Sequence, residues 1–177
     1  MTMSNTDYLN TLLVTRTDIN NEVRPTSADE ALVNRCIEEA QLLDIKPAIG
    51  DDVYMRLFNL DEDASAQLLW NGGVYQDCSG NNRIFAGLRK ALLYYAYARL
   101  VRTQGGTSTR FDFVVKADQY SDSADLQAKV QAYNEAFSIA DGYKVQALQY
   151  MASNPTAFGS CNKKIVNNRI AVKKIGY

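Results

Sequence analysis

The stretch Ile84–Thr103, IFAGLRKALLYYAYARLVRT, constrains the fold of this chain more than any other segment. Apolar residues recur in it at helical spacing and also fill most of the remaining faces, whereas a surface helix shows one apolar stripe. The pattern predicts a buried central helix, about 30 Å long at ~1.5 Å per residue, around which the other elements pack. Asn81 or Asn82 is placed to cap its start, and Gly105 and Gly106 follow its end.

The length of 177 residues suits one domain, and a composition of 46% hydrophobic and 22% charged residues is that of a globular protein. The sequence has no run of about 18 apolar residues and no signal-peptide pattern at its start, so we expect neither a membrane anchor nor a signal peptide. Cys36, Cys78 and Cys161 are odd in number and widely spaced, which favours free thiols in a reducing compartment.

The net charge of −1 hides an uneven distribution along the chain. Residues 1–63 carry 13 acidic and 5 basic side chains, a net of −8, and residues 64–160 carry 7 acidic and 9 basic, a net of +2. Residues 161–177 carry 5 basic side chains and no acidic one. An acidic half and a basic tail favour contacts between copies or with a charged partner; the alternative is a solvated surface with a frayed basic end.

Amphipathic patterns predict further helices before the central one. Val14–Val23 is predicted as a short helix, and Ser27 and Glu30 can form a capping box at the start of the next. Pro47 and Gly50 are predicted to break that second helix. Its predicted buried face consists of Leu32, Val33, Cys36, Ile37, Ala40 and Leu43.

The segments that flank the central helix differ in regularity. Ala64–Trp70 predicts one or two helical turns, and Tyr75–Asn82 reads as a loop. A final long helix, capped near residue 121 and ended by Pro155, has apolar residues at alternating spacings of four and three, which indicates a helix laid lengthwise on another. Its apolar positions are Leu126, Val130, Tyr133, Phe137, Ala140, Ala147 and Met151, with Lys144 where one more is expected.

Between these two helices, residues 107–121 change to a period of two. The alternation predicts a strand or an extended arm that has no obvious partner among the other predicted elements. Such a strand pairs either with another chain or with a second local strand. We assign an inter-subunit contact to the arm residues Arg110, Phe111, Asp112, Phe113, Val115 and Tyr120.

The chain thus divides into an N-terminal arm (residues 1–13), a helical domain (residues 14–155) and a basic C-terminal tail (residues 156–177). The tail alternates loosely, so it can form a hairpin turning at Asn167 and Asn168 or add one strand to a partner sheet. The candidate partner-binding residues of the tail are Lys163, Lys164, Ile165, Val166, Arg169, Ile170, Val172, Lys173, Lys174 and Tyr177.

Catalytic patterns are absent from the sequence. There is no histidine, the commonest general base and metal ligand, and no CxxC pair or phosphate-binding glycine motif. The acidic pairs at residues 38–39, 51–52 and 61–63 suit helix caps and solvated faces, and Cys36 lies on an apolar stripe. We therefore expect no enzymatic activity, no cofactor and no bound metal.

The tyrosines allow two interpretations. Eleven are present, three of them at positions 94, 95 and 97, and tyrosine rings can stack on single-stranded nucleic acid. At helical spacing within an apolar run they are better explained as core or interface residues.

Three segments in this order resemble the head–tail connector (adaptor) proteins of tailed phages, including those of Bacteroidetes-infecting and crAss-like phages. They are Ile37–Phe58, Gly87–Arg102 with its tyrosine-rich helix, and Thr109–Asp122, the arm leading to a final long helix. The resemblance covers roughly residues 28–152. The insertion at Leu68–Asn82 and the longer N-terminal arm depart from a minimal connector.

The resemblance implies a mainly α fold: a bundle of about four helices around the central helix, with a β arm or hairpin and an extended C-terminal tail. It implies a ring, commonly of twelve copies, in the virion neck, built from subunits made in the host cytoplasm. Expected partners are further copies, the portal protein through the tail, and other neck or tail proteins, with no membrane. Genomic DNA would pass through the lumen without specific binding. The alternatives are a nucleic-acid-binding protein using the basic tail and tyrosines, or a helical protein-interaction module.

Overall fold

The computed structural model describes residues 11–103, 106–108, 113–115 and 124–159. Within them the protein is mainly α-helical, with two short antiparallel hairpins. The helices pack around one buried central helix, so the predicted fold class is confirmed.

Short connections and two irregular helical turns link the elements. In chain order these are α1 (Arg16–Glu22), α2 (Glu30–Ala40), a π-helical turn (Gln41–Ile45), α3 (Lys46–Ile49), α4 (Asp51–Arg56), a 3₁₀ turn (Leu60–Glu62), α5 (Ala64–Asn71), β1 (Gly73–Gln76), β2 (Asn82–Phe85), α6 (Leu88–Thr103), β3 (Gly106–Ser108), β4 (Phe113–Val115), α7 (Ala124–Ser153) and α8 (Pro155–Phe158).

The central helix, α6, is shorter than predicted because it begins at Leu88 and not at Ile84. Ile84 belongs to strand β2, and Gly87 turns the chain into the helix with φ +85°. The prediction that Asn81 or Asn82 caps this helix is therefore wrong. The helix ends at Thr103, as its pattern predicted. Its fully buried residues include Leu88, Ala91, Leu92, Leu93, Tyr95, Ala96 and Ala98.

The long helix α7 packs along α6, and α2 and the π-helical turn also contact α6. Ring contacts join α6 to α7: Tyr95 meets Phe137 edge-on at 5.0 Å between centroids, and Tyr94 meets Tyr143 at 5.7 Å. Helix α7 continues through Gly142 and ends at Ser153 before Pro155, as predicted. This arrangement confirms the expectation of one long helix laid lengthwise on another.

The π-helical turn corrects two predictions for the second helix. Leu43, predicted to face the core, is 62% exposed, and Pro47 lies inside a helical path that continues to Ile49. A π turn holds one more residue than an α turn, so positions counted at 3.6 residues per turn no longer share a face. The π-helical turn ends at Ile45, two residues before Pro47, whose ring and missing N–H disrupt α-helical bonding.

Gln41 of the π-helical turn is fully buried and holds the start of the described chain. Its Oε1 accepts a hydrogen bond from Leu13 N at 2.7 Å, and its Nε2 donates to Thr11 O at 3.2 Å and to Tyr54 Oη at 3.3 Å. A buried amide with its donors and acceptor satisfied costs little and fixes the register of the segments it joins.

A capping box is present at the start of the first helix and not at the start of the second, where the sequence predicted one. Thr15 and Asp18 form a reciprocal capping box at the start of α1. The Ser27–Glu30 box is not formed, because α2 begins at Glu30 and its N-cap, Asp29, makes no side-chain capping bond.

Charged side chains tie the outer helices to α6. Arg89 pairs with Asp18 and Glu22 of α1, and Arg99 pairs with Asp44 and Glu39. Tyr95 Oη donates to Asp141 of α7, which also accepts from Lys144 Nζ. These contacts fix the positions of α1, α2 and α7 around the central helix. Lys144 occupies a position where the sequence pattern predicts an apolar residue, and its charge is paired with that of Asp141.

Candidate functional site

A hairpin that the sequence did not predict lies directly before the central helix. Strands β1 and β2 pair antiparallel with Val74 opposite Ile84. They include both ends of the predicted loop Tyr75–Asn82, and β2 also takes Ile84 and Phe85 from the predicted central helix. The turn is organised by Asp77, whose Oδ1 accepts hydrogen bonds from Ser79 N and Asn81 N at 2.9 Å each. The Asn81 N–H and the Arg83 guanidinium lower the pKa of Asp77 to about 2.

The two faces of this hairpin have different environments, because successive strand residues point to opposite sides. Tyr75 and Phe85 face the core and contact Tyr150 of α7, with ring centroids 5.2 and 5.0 Å away. On the other face, the cross-strand pair Val74 and Ile84 is 61% and 79% exposed. An exposed apolar pair on a small sheet is a candidate interaction surface.

Two close glycines place the hairpin against the helices. A Cβ atom on Gly72 would lie 2.5 Å from the backbone of Ala86 and Gly87, and one on Gly87 would lie 2.4 Å from Trp70 O. The end of α5 and the start of α6 therefore approach with backbone against backbone, which only glycine permits at positive φ.

The described C-terminal segment ends beside the same hairpin. Phe158 of α8 meets Tyr150 edge-on at 5.6 Å, and Tyr150 is the residue that stacks on Phe85. Arg56 Nη1 donates to Ala157 O at 2.8 Å, and its guanidinium lies 4.9 Å from the centre of the Phe158 ring. These contacts anchor α8, so the chain leaves the described structure next to β1 and β2.

An open cleft of about 330 Å³ lies beside Arg56. Asp63 caps α5 by accepting hydrogen bonds from Ser65 N and Ala66 N, and it also pairs with Arg56. The hydrogen bond from Arg56 lowers the pKa of Asp63 and outweighs the opposing effect of partial burial. The cleft is lined by Met55, Arg56, Asn59, Glu62 and Asp63.

Exposed apolar residues also lie on the outer helices. Leu43 projects from the π-helical turn, and Val130, which the pattern placed on the buried face of α7, is 52% exposed. Leu43 and Val130 lie on separate elements, the π-helical turn and α7. Sequence periodicity misplaced both residues. Their exposure depends on how the elements pack against one another, which a local sequence pattern does not predict.

The predicted arm is only partly described. Strands β3 and β4 pair antiparallel, with Ser108 opposite Phe113 and Gly106 opposite Val115, so the arm has a second local strand as its partner. Arg110, Phe111, Asp112 and Tyr120 lie outside the described residues. So do all the tail residues assigned to partner binding, Lys163, Lys164, Ile165, Val166, Arg169, Ile170, Val172, Lys173, Lys174 and Tyr177. The inter-subunit and partner-binding roles remain predictions.

The tyrosines of the central helix are mainly core residues. Tyr95 is fully buried, while Tyr94 and Tyr97 are half-buried and pack against the core. Tyr54 and Tyr150 are also buried. Burial raises the pKa of Tyr95, and its hydrogen bond to Asp141 raises it further. These buried rings cannot stack on nucleic acid, and the core interpretation of Tyr95 is confirmed.

The last features to be placed are the thiol of Cys36, possible metal ligands and possible membrane-spanning helices. Cys36 is buried, as its place on an apolar stripe predicted, and burial raises the pKa of its thiol. In the described ranges no cluster of three or more potential ligands (His, Cys, Asp or Glu) is arranged to hold a metal ion. Among the helices whose residues are described, none is long and apolar enough to cross a membrane.

Comparison with known proteins gives one match. The model of a family of unknown function, DUF6712, matches residues 45–169, which is most of the chain. No curated protein and no solved structure matches the chain. The matched region begins at the last residue of the π-helical turn and includes the β1–β2 hairpin, the central helix and the long helix. The chain therefore belongs to the family DUF6712.

Proposed function

We propose that this protein is a structural head–tail connector (adaptor) of a tailed bacteriophage. It forms a ring in the virion neck that joins the portal to the tail and lets genomic DNA pass. The proposal rests on the resemblance of three ordered segments to connector proteins and on the distribution of exposed apolar residues. It assigns the protein no catalysis.

The observation that carries the proposal is the exposure of Leu43 and Val130 on two separate elements of one subunit, the π-helical turn and α7. A closed ring needs a head-to-tail interface, in which two unlike patches of each copy meet. Leu43 supplies an apolar centre on the π-helical turn, and Val130 supplies another on α7. A twofold dimer would need only one self-complementary patch.

The charge distribution supports the same arrangement. Acidic residues are concentrated in residues 1–63, and the last seventeen residues contain only basic charges. Opposite charges at the two ends of a chain steer head-to-tail contacts between copies and reduce other pairings. A ring that lets DNA slide must not hold it tightly, so we expect no specific DNA binding.

The partners of the ring are the portal protein on one side and further neck or tail proteins on the other. The basic tail is the segment proposed to reach the portal, by adding backbone hydrogen bonds to a partner sheet. The site of action is the virion neck, and the subunits assemble in the host cytoplasm.

Co-purification of the full-length chain with the portal protein encoded in the same genome, followed by electron microscopy, tests this function. We expect a ring of the protein seated on the portal. Leu43→Ser and Val130→Ser should each reduce ring formation, while Gln149→Ser, a change at an exposed polar position of α7, should not.

Two results would contradict the proposal. One is a protein that stays monomeric and ignores the portal. The other is tight DNA binding with a steep dependence on salt, which would favour the nucleic-acid-binding alternative.

A further inference from the structure

The β1–β2 hairpin has features of a surface that accepts another segment. Val74 and Ile84 form an exposed apolar pair on its outer face. Within the described part of the chain, the sheet contains these two strands alone, so no third strand pairs with either of its edges. Unpaired strand edges beside exposed apolar residues favour the addition of an extended segment.

The C-terminal tail begins next to this surface. Phe158 packs on Tyr150, Tyr150 stacks on Phe85 of β2, and Gly159 is the last described residue. The remaining residues, 160–177, could span roughly 60 Å if extended, at about 3.3 Å per residue. Length therefore does not restrict which edge or face of the hairpin they reach.

The charge and the apolar residues of the tail complement the surface near the end of α8. Its apolar residues alternate loosely with basic ones, and it carries no acidic side chain. Exposed carboxylates of Asp61 and Glu62 lie on the 3₁₀ turn, close to Asp63 and Arg56, which anchors α8. Basic side chains leaving α8 thus find negative charge nearby. The apolar residues of the tail are Ile165, Val166, Ile170, Val172 and Ile175.

We propose that residues 160–177 bind the β1–β2 hairpin of the same copy, covering Val74 and Ile84 with their apolar side chains. The short connection through Gly159 favours the same copy, because a linked segment has an effective concentration in the millimolar range. The proposal goes beyond the connector function and does not require a ring. It concerns a subunit that is not bound to the portal, because a tail that reaches the portal must first leave the hairpin.

Limited proteolysis of the full-length protein tests the proposal. Trypsin cleaves after the basic residues of the tail, and its rate reports the population in which the tail is released. Val74→Ser combined with Ile84→Ser should speed cleavage in the tail on the order of tenfold. Ile139→Ser removes another exposed apolar side chain of α7, about 16 Å along the helix from Tyr150, and should leave tail cleavage unchanged.

Hydrogen exchange supplies the reciprocal measurement. Ile170→Ser combined with Val172→Ser alters only the tail and should increase exchange of the hairpin amides. The amides of α6 should keep their protection in every variant, which shows that the bundle remains folded. Cleavage rates that do not differ between the wild type and the hairpin variant would overturn the proposal.

Dilution and mass separate this proposal from the connector function. Protection of the tail that is lost on dilution would assign the bound tail to a neighbouring copy and overturn the same-copy assignment. A monomer with a protected tail supports the inference while contradicting the ring. A wild-type ring whose tail is cleaved as fast as that of the hairpin variant would support the connector function and contradict the binding of the tail to the hairpin.

Discussion

Arg99 of the central helix and Asp44 of the π-helical turn form an ion pair in which Nε and Nη2 both donate to Oδ2, at 3.0 and 2.8 Å. The two side chains are 23% and 13% exposed. Burial raises the pKa of Asp44, and Arg99 opposes this rise. The pair joins α6 to the one turn of the chain that departs most from ideal helix geometry.

Removing the guanidinium should destabilise the fold. Arg99→Leu leaves the mostly buried Asp44 carboxylate without its main partner, and we expect a loss of about 2–3 kcal/mol in the free energy of unfolding. Lys46→Met removes a cation from a solvent-exposed pair with Asp51 and should cost less than about 1 kcal/mol. Urea denaturation of both variants measures the difference, and equal losses would show that the Arg99–Asp44 pair has no special weight.

The glycines provide a pair of identical substitutions with opposite expected effects. Gly87→Ala places a Cβ atom 2.4 Å from Trp70 O at φ +85°, and we expect it to cost more than about 2 kcal/mol. Gly142→Ala meets nothing within 4 Å in the interior of α7 and should stabilise the protein by about 0.5–1 kcal/mol. Thermal unfolding monitored by circular dichroism should move in opposite directions. A tolerated Gly87→Ala would contradict the close approach of α5 and α6.

The Arg56–Asp63 pair predicts a dependence of stability on pH. The pKa of Asp63 in the folded protein lies below its ordinary value of 3.8, mainly because of the hydrogen bond from Arg56. The unfolded chain therefore binds more protons at this site, so this contribution is present above about pH 4 and is lost as the pH falls through the folded pKa. Asp63→Asn should flatten the acid limb of the stability curve, and Arg56→Met should flatten it in part. An unchanged acid limb in both variants would contradict the assignment.

The sequence predicted the helices wherever the period of 3.6 was uninterrupted. Buried residues such as Leu92 and Tyr95 follow that period, and so does the path of the long helix. The exposure of Leu43 was missed because the π-helical turn shifts the register, and no residue type marks such a turn. Val130 was misplaced because helical periodicity predicts which face of a helix is apolar. It does not predict how much of that face another element covers.

The hairpin was missed for a different reason. Each strand has only four residues, too few for alternation to stand out, and Ile84 and Phe85 extend the apolar run of the next helix. The residues around Asp77 correctly signalled a turn. The hairpin also packs through Tyr75 and Phe85 on Tyr150, which lies 75 and 65 residues further along the chain, a contact that no local pattern reveals.

A mixing experiment can distinguish a head-to-tail interface from a symmetric one. Leu43→Ser disables one patch and Val130→Ser the other, and because both positions are exposed, each variant should keep its stability within about 0.5 kcal/mol. In a mixture, the intact patch of one variant meets the intact patch of the other, so we expect pairs and no rings. Analytical ultracentrifugation reads out the result, and full rings from the mixture would show that these residues do not form the interface.

The mass of the assembly formed by the purified full-length protein tests the central claim most directly. Native mass spectrometry should show one closed oligomer, commonly twelve copies in the connector proteins that this chain resembles, with no open series of intermediate sizes. A chain that remains monomeric at every concentration, alone and with the portal protein, would contradict the account.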